Sequence, residues 1–477
     1  MQIITQAGLC RFFTSWLLLS GALALPGQAP DARQEFSKSL ILRADRIIAD
    51  STHPSVIWLA QTAPAAYTPV AALKLKLTLT TDAEDAKPVR DLGVFEIFPR
   101  DMVQRPFPVS ATVDGVVDGA YRLSAELIEG DSVIVSLNTA VRFVQGIDAR
   151  RADIERRLAG IQGHEGTVAS IRYPFDLARV INIGKKNLSA FDLGIDEQRQ
   201  PNHPNFSELM KRSEELLTAL EAGRDPLWRA KGDSKRHYWF PEAGEIMPYR
   251  VYVPTTWDGR SALPMILVLH GNTRDQDFYF DRDGRIIPTL AEKHGYLMVC
   301  PFAYHPNGGY NAGNNGRALV ATGRGAGGSQ HANGMPRARV GELSEKDAMN
   351  VFELVRKEYP IDPKRTFLFG YSAGGAGALY FGPKYAEHWA AIAAGGSNVG
   401  PNNYPFESLL EKKIPVHLFF GDQDSAGVLQ GTRNLAAAMK ERGLEVDLAE
   451  YKGFNHDTAP GTAVPHIFEF FNAHPRP

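Results

Sequence analysis

The segment RTFLFGYSAGGAGALYFG, residues 365–382, contains a possible serine nucleophile, Ser372, between a strand-like and a helix-like part. A short apolar run meets a Gly-Tyr-Ser-Ala-Gly turn, and small residues that suit a helix follow it. The pentapeptide alone decides little, because a glycine-rich chain can contain such a match by accident. If a strand precedes the turn and a helix follows it, Gly370 and Gly374 allow close packing and Ser372 projects from the end of a sheet. The rest of the chain must supply that context.

Length and composition describe a globular protein of more than one domain. The chain has 477 residues, of which 44% are hydrophobic and 22% are charged. This length predicts two or three domains. The formal net charge of −2 favours neither nucleic acid nor an anionic membrane surface as a partner. No apolar run reaches 18 residues, so we expect no membrane span in the mature chain.

The N-terminus has the pattern of a cleaved signal peptide. Arg11 precedes the 14-residue apolar run FFTSWLLLSGALAL, and small residues follow near Ala24 and Ala29. A permanent anchor is the alternative, but the run is short for a bilayer. We therefore predict a signal peptide over residues 1–29 and a secreted or periplasmic protein. Cys300 is then the single cysteine left, so an intramolecular disulfide is impossible and Cys300 is expected to be a buried apolar residue.

Residues 31–147 have the pattern of a small antiparallel β-sandwich. In VAALKLKLTLT, residues 70–80, leucines alternate with lysine or threonine, which predicts a strand with one buried and one wet face. Further strand-like segments follow at short spacing with no helical pattern between them. Glu129-Gly130-Asp131 marks a hairpin between two of these segments.

Residues 148–235 change to a helical pattern. Ile154, Leu158 and Ile161 share one face of a predicted helix. A second apolar stripe runs along residues 205–222, and Gly223 is placed to end that helix. We interpret this segment as a helical connector.

From residue 236 to residue 477, strands alternate with helices. This alternation predicts an α/β catalytic domain with a mainly parallel sheet and helices on both faces. One of the helices, SEKDAMNVFELVRKEY, is expected to begin at Ser344 with Asp347 completing a capping box. The active sites of such sheets lie at the carboxyl ends of the strands.

A serine nucleophile requires a base and an acid, in the chain order Ser, Asp or Glu, His for this type of sheet. The segment GFNHD places His456 just after a predicted strand, and GDQD places Asp422 and Asp424 after the preceding one. Asp422 follows the strand directly and can bond the amides of its own turn. Asp424 lies further out, where the loop can turn toward His456. We therefore predict a Ser372, Asp424, His456 triad. Among the other histidines that follow Ser372, His417, His466 and His474 are predicted to be structural.

An oxyanion hole completes the chemistry of acyl transfer, because backbone N–H groups stabilise the charged intermediate. Ala373, which follows the nucleophile, should supply one N–H group. The turn after the strand ILVLH should supply the other, from Asn272 or Gly271. His270 precedes this turn and is expected to brace it. The residues assigned to the substrate site are Tyr371, His270 and Tyr310.

Residues 245–475 resemble the α/β-hydrolase fold of the secreted polyhydroxybutyrate depolymerase and feruloyl esterase group, which borders the prolyl-oligopeptidase-like hydrolases. The resemblance lies in YRVYVP, LVLHGN, the segment from EKDAMNVFELV through IDPKR to GYSAGG, FFGDQD and GFNHD. It implies a carboxylic ester hydrolase whose acid is the fourth residue of the Gly-x-x-Asp segment, Asp424. The sequence departs from many members of this group because it can form no disulfide.

Residues 303–341 are rich in glycine and asparagine and follow a strand end, which predicts a substrate-facing lid. No Gly-Lys-Ser/Thr ending and no His-Glu-x-x-His spacing occurs, so we expect neither a cofactor nor a catalytic metal. The expected partner is a small-molecule or polymeric ester. Two other functions stay open, a prolyl-oligopeptidase-like peptidase and a polymer-binding protein with a relict hydrolase fold.

Overall fold

The computed structural model describes most of the chain. The predicted signal peptide and residues 314–334 of the predicted lid lie outside the described residues. No helix within the described part is long and apolar enough to span a bilayer. The described residues are 36, 39–44, 48–49, 56–61, 71–81, 87–98, 107–110, 116–184, 206–313 and 335–477.

The first eight strands form two sheets. A three-stranded antiparallel sheet has the order β1-β3-β6, and a five-stranded sheet has the order β2-β8-β7-β4-β5. The strands are β1 Leu40–Ala44, β2 Ile48–Ala49, β3 Val56–Gln61, β4 Leu73–Thr81, β5 Pro88–Ile97, β6 Phe107–Ser110, β7 Gly119–Glu129 and β8 Ser132–Phe143.

Strand β4 has the predicted alternation. Its four leucines are buried, whereas Lys74 is exposed and Lys76 reaches Glu126 on β7 at 3.2 Å. The leucines share one hydrophobic cluster with Leu42 of β1 and Leu59 of β3. The two sheets therefore bury a common core between them.

In the described residues after β8, the next helices are α1 Ile147–Leu158, α2 Glu165–Gly184 and α3 Phe206–Glu221. Ile154 and Leu158 are buried on α1, and α3 ends where Gly223 adopts a φ of 73° and donates to the Leu220 carbonyl. Both predicted helices are present, but Ile161, which was predicted on the apolar face of the first one, lies beyond the end of α1. Helix α2 was not predicted, because it contains Pro174 and buries the polar residues Thr167 and Ser170 among its apolar ones.

The C-terminal sheet has eight strands in the order β16-β15-β14-β13-β11-β12-β10-β9. Strands β11 to β16 pair in parallel, and β9 and β10 add an antiparallel edge. The fold is α/β-hydrolase-like with a mixed, mainly parallel sheet. The strands are β9 Gly232–Phe240, β10 Glu245–Val253, β11 Leu263–Leu269, β12 Leu297–Pro301, β13 Ile361–Tyr371, β14 Ala391–Gly395, β15 Val416–Gly421 and β16 Val446–Tyr451.

Helices cover both faces of this sheet. Side chains alternate along β11, so that Leu267 and Ile266 belong to separate hydrophobic clusters on opposite faces. Helix α2 packs against β9, where Tyr173 stacks on His237 with ring centroids 3.8 Å apart. The helices are α4 Phe278–Asp281, α5 Ile286–His294, α6 Arg337–Glu358, α7 Ala373–Lys384, α8 Glu407–Lys412, α9 Ala426–Glu441 and α10 Ala459–Ala473, with 3₁₀ turns at Asp283–Arg285 and Gly309–Asn311.

The predicted start of α6 is wrong. The helix begins at Arg337, so the last residues assigned to the lid are helical, and Ser344 and Asp347 lie fully buried within it. Their oxygens accept hydrogen bonds from other segments instead of capping the helix. The Tyr310 N–H donates to Ser344 Oγ at 3.0 Å, and the Tyr238 hydroxyl donates to Asp347 Oδ1 at 2.6 Å.

Candidate active site

Ser372 stands on a sharp strand-to-helix turn between β13 and α7. Its backbone has φ 59° and ψ −120°, a region that residues other than glycine rarely occupy. The Ser372 N–H donates to the Gly395 carbonyl at 2.9 Å, which holds the turn against β14. A Cβ atom on Gly374 would lie 2.0 Å from the Leu269 carbonyl oxygen, and one on Gly370 would lie 2.0 Å from the Gly374 oxygen. Glycine is therefore required on both sides of the serine.

The structure brings the three predicted triad residues together. His456, in the loop between β16 and α10, has its Nε2 3.0 Å from Ser372 Oγ. Its Nδ1 lies 2.7 Å from Asp424 Oδ2. The side chain of Asp424 is 3% exposed, and that of His456 is 40% exposed. In the tautomer that this carboxylate favours, Nδ1–H donates to Asp424 and Nε2 can accept the serine proton.

The electrostatics of His456 suit a general base. The hydrogen bond to Asp424 raises the pKa of His456 above its ordinary value, and this effect outweighs the desolvation that lowers it. A raised pKa means that the imidazolium formed during proton transfer is stabilised.

The two candidate acids have different positions. Asp422 is exposed, and its Oδ1 accepts the Gly453 N–H at 2.7 Å. Asp424 Oδ1 accepts the Ser425 N–H at 2.6 Å, which leaves Oδ2 for His456. Asp422 thus links two turns, and Asp424 is the carboxylate that reaches the imidazole.

The predicted oxyanion turn lies directly against the serine. A Cβ atom on Gly271 would be 3.3 Å from Ser372 Cβ. Ala373 is the first residue of α7, where N–H groups have no acceptor within the helix. Asn272 is exposed beside Thr273, whose N–H is shared between the Pro306 carbonyl and Asn307 Oδ1 at 3.1 and 3.0 Å. The amides of residues 272 and 373 stay the predicted pair.

His270 has the position of a brace. It is 1% exposed, and its ring nitrogens lie 2.9 Å from the Gly271 and Phe302 carbonyl oxygens. Burial lowers the pKa of His270, so the ring is neutral and donates to one of these carbonyls. The bracing position fits the expectation, whereas a side chain so buried does not fit the predicted contact with substrate.

The two tyrosines assigned to the substrate site are also buried. Tyr310 is 1% exposed, and its hydroxyl donates to the His270 carbonyl at 3.2 Å. Tyr371 is 3% exposed and stacks on Phe419, with its ring centroid 5.1 Å from that of His456. Both rings pack against residues of the catalytic turns and are not open to solvent. The prediction that they contact substrate therefore does not fit their positions.

We did not predict a group of buried residues that lies behind the oxyanion turn. Ala303 and Tyr304 follow β12 with φ near 60°, and the Tyr304 N–H donates to Asp347 Oδ2 at 2.8 Å. Burial raises the pKa of Asp347 to about 7 despite the hydrogen bonds it accepts. Asp347 shares a helix face with Leu343 and Val351. A carboxylate on an otherwise apolar face could have indicated from the sequence that Asp347 is buried and hydrogen-bonded.

Comparison with known proteins gives one family match. Residues 340–474, which contain Ser372, Asp424 and His456, match the phospholipase/carboxylesterase family. The bifunctional acetylxylan esterase/xylanase of Neocallimastix patriciarum is 27% identical over 184 residues, 38% of this chain. The match spans 22% of that relative.

The solved structures that are similar at low identity include two esterases. A CE1 ferulic acid esterase from Anaeromyces mucronatus is 18% identical and aligns over 51% of this chain and 90% of its own, with a TM-score of 0.37. A thermostable esterase is 15% identical and aligns over 92% of this chain and 100% of its own, with a TM-score of 0.39. TM-scores this low carry no argument about function. The family match and the esterase relative support a carboxylic ester hydrolase.

Proposed function

We propose that the chain is a serine esterase that cleaves carboxylic esters through an acyl-enzyme on Ser372. The observation that carries this proposal is the continuous hydrogen-bonded path from Ser372 Oγ through His456 to Asp424, with distances of 3.0 and 2.7 Å.

In the proposed mechanism, His456 Nε2 takes the proton of Ser372 as Oγ attacks the ester carbonyl carbon. Asp424 stabilises the imidazolium through Nδ1–H. The Ala373 amide, with that of Asn272 or Gly271, stabilises the tetrahedral oxyanion. His456 then protonates the departing alcohol oxygen, the C–O bond breaks, and water repeats the sequence on the acyl-enzyme.

We propose short acyl and aryl esters as substrates, either free or on a polymer. The acetylxylan esterase activity in the relative's name supports esters of hydroxyl-rich alcohols. We propose, from the motif resemblance alone, that the chain belongs to the feruloyl esterase and polyhydroxybutyrate depolymerase group. A peptidase would also have to protonate a poor amine leaving group and grip a peptide on both sides of the bond.

We propose the following organisation for the whole chain. Residues 1–29 are an export signal, which gives a secreted or periplasmic enzyme, and residues 31–147 are a β-sandwich domain. Residues 148–235 are a helical connector, and residues 236–477 are the catalytic domain. The shared core of the two N-terminal sheets supports the sandwich. Strand β9 begins at Gly232 and pairs with β10 along its length, so a boundary at 236 would divide this strand, and we move the start of the proposed catalytic domain to residue 232.

A substrate panel on the purified chain tests the proposal. We expect hydrolysis of p-nitrophenyl acetate and methyl ferulate, little cleavage of peptide anilides, and loss of hydrolysis in Ser372→Ala. Ser425→Ala is the matched control, because this exposed serine lies beside Asp424 and donates to it through its backbone. Anilide cleavage without ester cleavage would favour the peptidase, and no turnover of any substrate would favour a relict fold.

A further inference from the structure

A second cluster of chemically active side chains lies apart from Ser372. His417 on β15 is directly paired with Asp447 on β16, and His466 on α10 approaches the same carboxylate. Asp447 Oδ2 lies 2.8 Å from His417 Nδ1 and 3.1 Å from His466 Nε2. His417 is the second residue of β15, whereas the catalytic loop follows the end of that strand, about 16 Å further along.

We propose that His417, Asp447 and His466 bind a divalent transition-metal ion of the zinc type. Their three ligand atoms lie within 4.8 Å of one another. Two imidazoles and one carboxylate form a donor set that suits Zn²⁺ and disfavours Mg²⁺ and Ca²⁺, which prefer oxygen ligands. Because three protein ligands leave a tetrahedral position free, water would complete the coordination.

The geometry needs only a small adjustment. Metal–ligand distances near 2.1 Å place the ligands of a tetrahedral site about 3.4 Å apart, so the 2.8 and 3.1 Å contacts must open by about 0.6 and about 0.3 Å. His466 and Asp447 are 41% and 39% exposed and can move, while His417 is fully buried and fixed on its strand. The exposed side of the cluster also gives a metal ion access from solvent.

The surroundings hold two of the ligands ready. The Tyr451 hydroxyl lies 3.3 Å from His466 Nδ1, the ring nitrogen that faces away from the cluster, and so orients Nε2 toward it. His417 is held by strand β15, and its Nδ1 faces Asp447 Oδ2 at 2.8 Å.

Two features oppose binding. His417 Nε2 is buried and has no hydrogen-bond partner in the described part of the chain, so a metal at Nδ1 would move the proton to an unpaired nitrogen. The positive charge of Lys440 also acts on Asp447. We therefore expect weaker binding than at a four-ligand structural zinc site. The bound ion would join β15, β16 and α10, the elements that flank the Asp424 and His456 loops, and would stabilise them without entering the reaction.

Calorimetric titration of the chelator-treated full chain with ZnCl₂ tests the proposal. We expect saturable binding of one equivalent and a rise in Tm of roughly 5 °C when free Zn²⁺ exceeds Kd a hundredfold. MgCl₂ should give neither effect. His466→Ala and Asp447→Asn should each weaken Zn²⁺ binding at least tenfold.

His474→Ala is the matched control, because His474 pairs with Glu445 at 3.0 Å in the same region but has no second histidine beside it in the described structure. It should bind Zn²⁺ like the wild type. Absence of saturable binding by the wild type, or unchanged binding in both His466→Ala and Asp447→Asn, would overturn the proposal. Since both variants alter half-exposed side chains, circular dichroism before titration verifies that they are folded.

Discussion

Replacing Asp424 by asparagine tests the electrostatic part of the site. The side chain of Asp424 is 3% exposed. Its carboxylate accepts a 2.7 Å hydrogen bond from His456 Nδ1 and has no proton to donate. An amide of the same shape can present its NH₂ group to Nδ1 and so favour the tautomer with the proton on Nε2, which cannot accept the Ser372 proton. Changes of this kind lower kcat by about 10⁴, or about 5 kcal/mol of barrier.

The assay is the hydrolysis of p-nitrophenyl acetate over a range of pH values. Because Asp424 raises the pKa of His456, the acidic limb of the wild-type kcat/KM profile should have its midpoint above about 6.5. Activity falls as the pH falls through this pKa, since the protonated imidazole cannot act as a base. In Asp424→Asn the remaining activity should have a midpoint at lower pH, because the hydrogen bond that raises the pKa of His456 is lost.

Asp422→Asn is the matched control, since Asp422 carries the same group two residues away but bonds the Gly453 amide. It should retain kcat within about tenfold and keep the wild-type midpoint. A large loss of kcat in Asp422→Asn together with a near-wild-type kcat in Asp424→Asn would refute the reasoning. An unshifted acidic limb in Asp424→Asn would refute the assignment of the limb to His456.

Three further substitutions, one of them with a control variant, should have different effects. Gly374→Ala places a methyl group 2.0 Å from the Leu269 oxygen and should lower activity by about 10² or more, while Gly400→Ala, with open space around it, should leave p-nitrophenyl acetate turnover unchanged. Asp347→Ala removes the buried acceptor of the Tyr238 hydroxyl and the Tyr304 N–H and should lower the free energy of unfolding in urea by roughly 2–6 kcal/mol. Tyr371→Phe removes a buried hydroxyl with no partner in the described chain and should keep or raise Tm in a thermal scan.

The fold was predictable where local patterns determine it. The alternating leucines of β4 fixed its buried face, and the strand–helix alternation after residue 236 predicted the mainly parallel sheet. The positions of Ser372, Asp424 and His456 followed because loops at the carboxyl ends of neighbouring parallel strands meet at one edge.

The errors arose where distant segments set the environment. Asp347 has the spacing of a helix cap, but donors from β9 and from the turn after β12 keep it buried inside α6. Tyr310 lies in a glycine-rich segment that has the composition of a lid, yet its ring packs beside Gly377, where only a glycine leaves room for it. The cluster of His417, Asp447 and His466 has successive members about 20 to 30 positions apart in the sequence. No local sequence motif has this spacing, so the cluster could not be predicted.

Covalent labelling of Ser372 tests the central proposal most directly. The purified chain is treated with a fluorophosphonate, and the modified peptide is located by mass spectrometry. We predict one adduct per chain, on Ser372 in the segment TFLFGYSAGGAGALYF, and no adduct in His456→Ala, because the serine then lacks its base. A wild-type chain that stays unlabelled, or that is labelled at another residue, would contradict a serine esterase at this site.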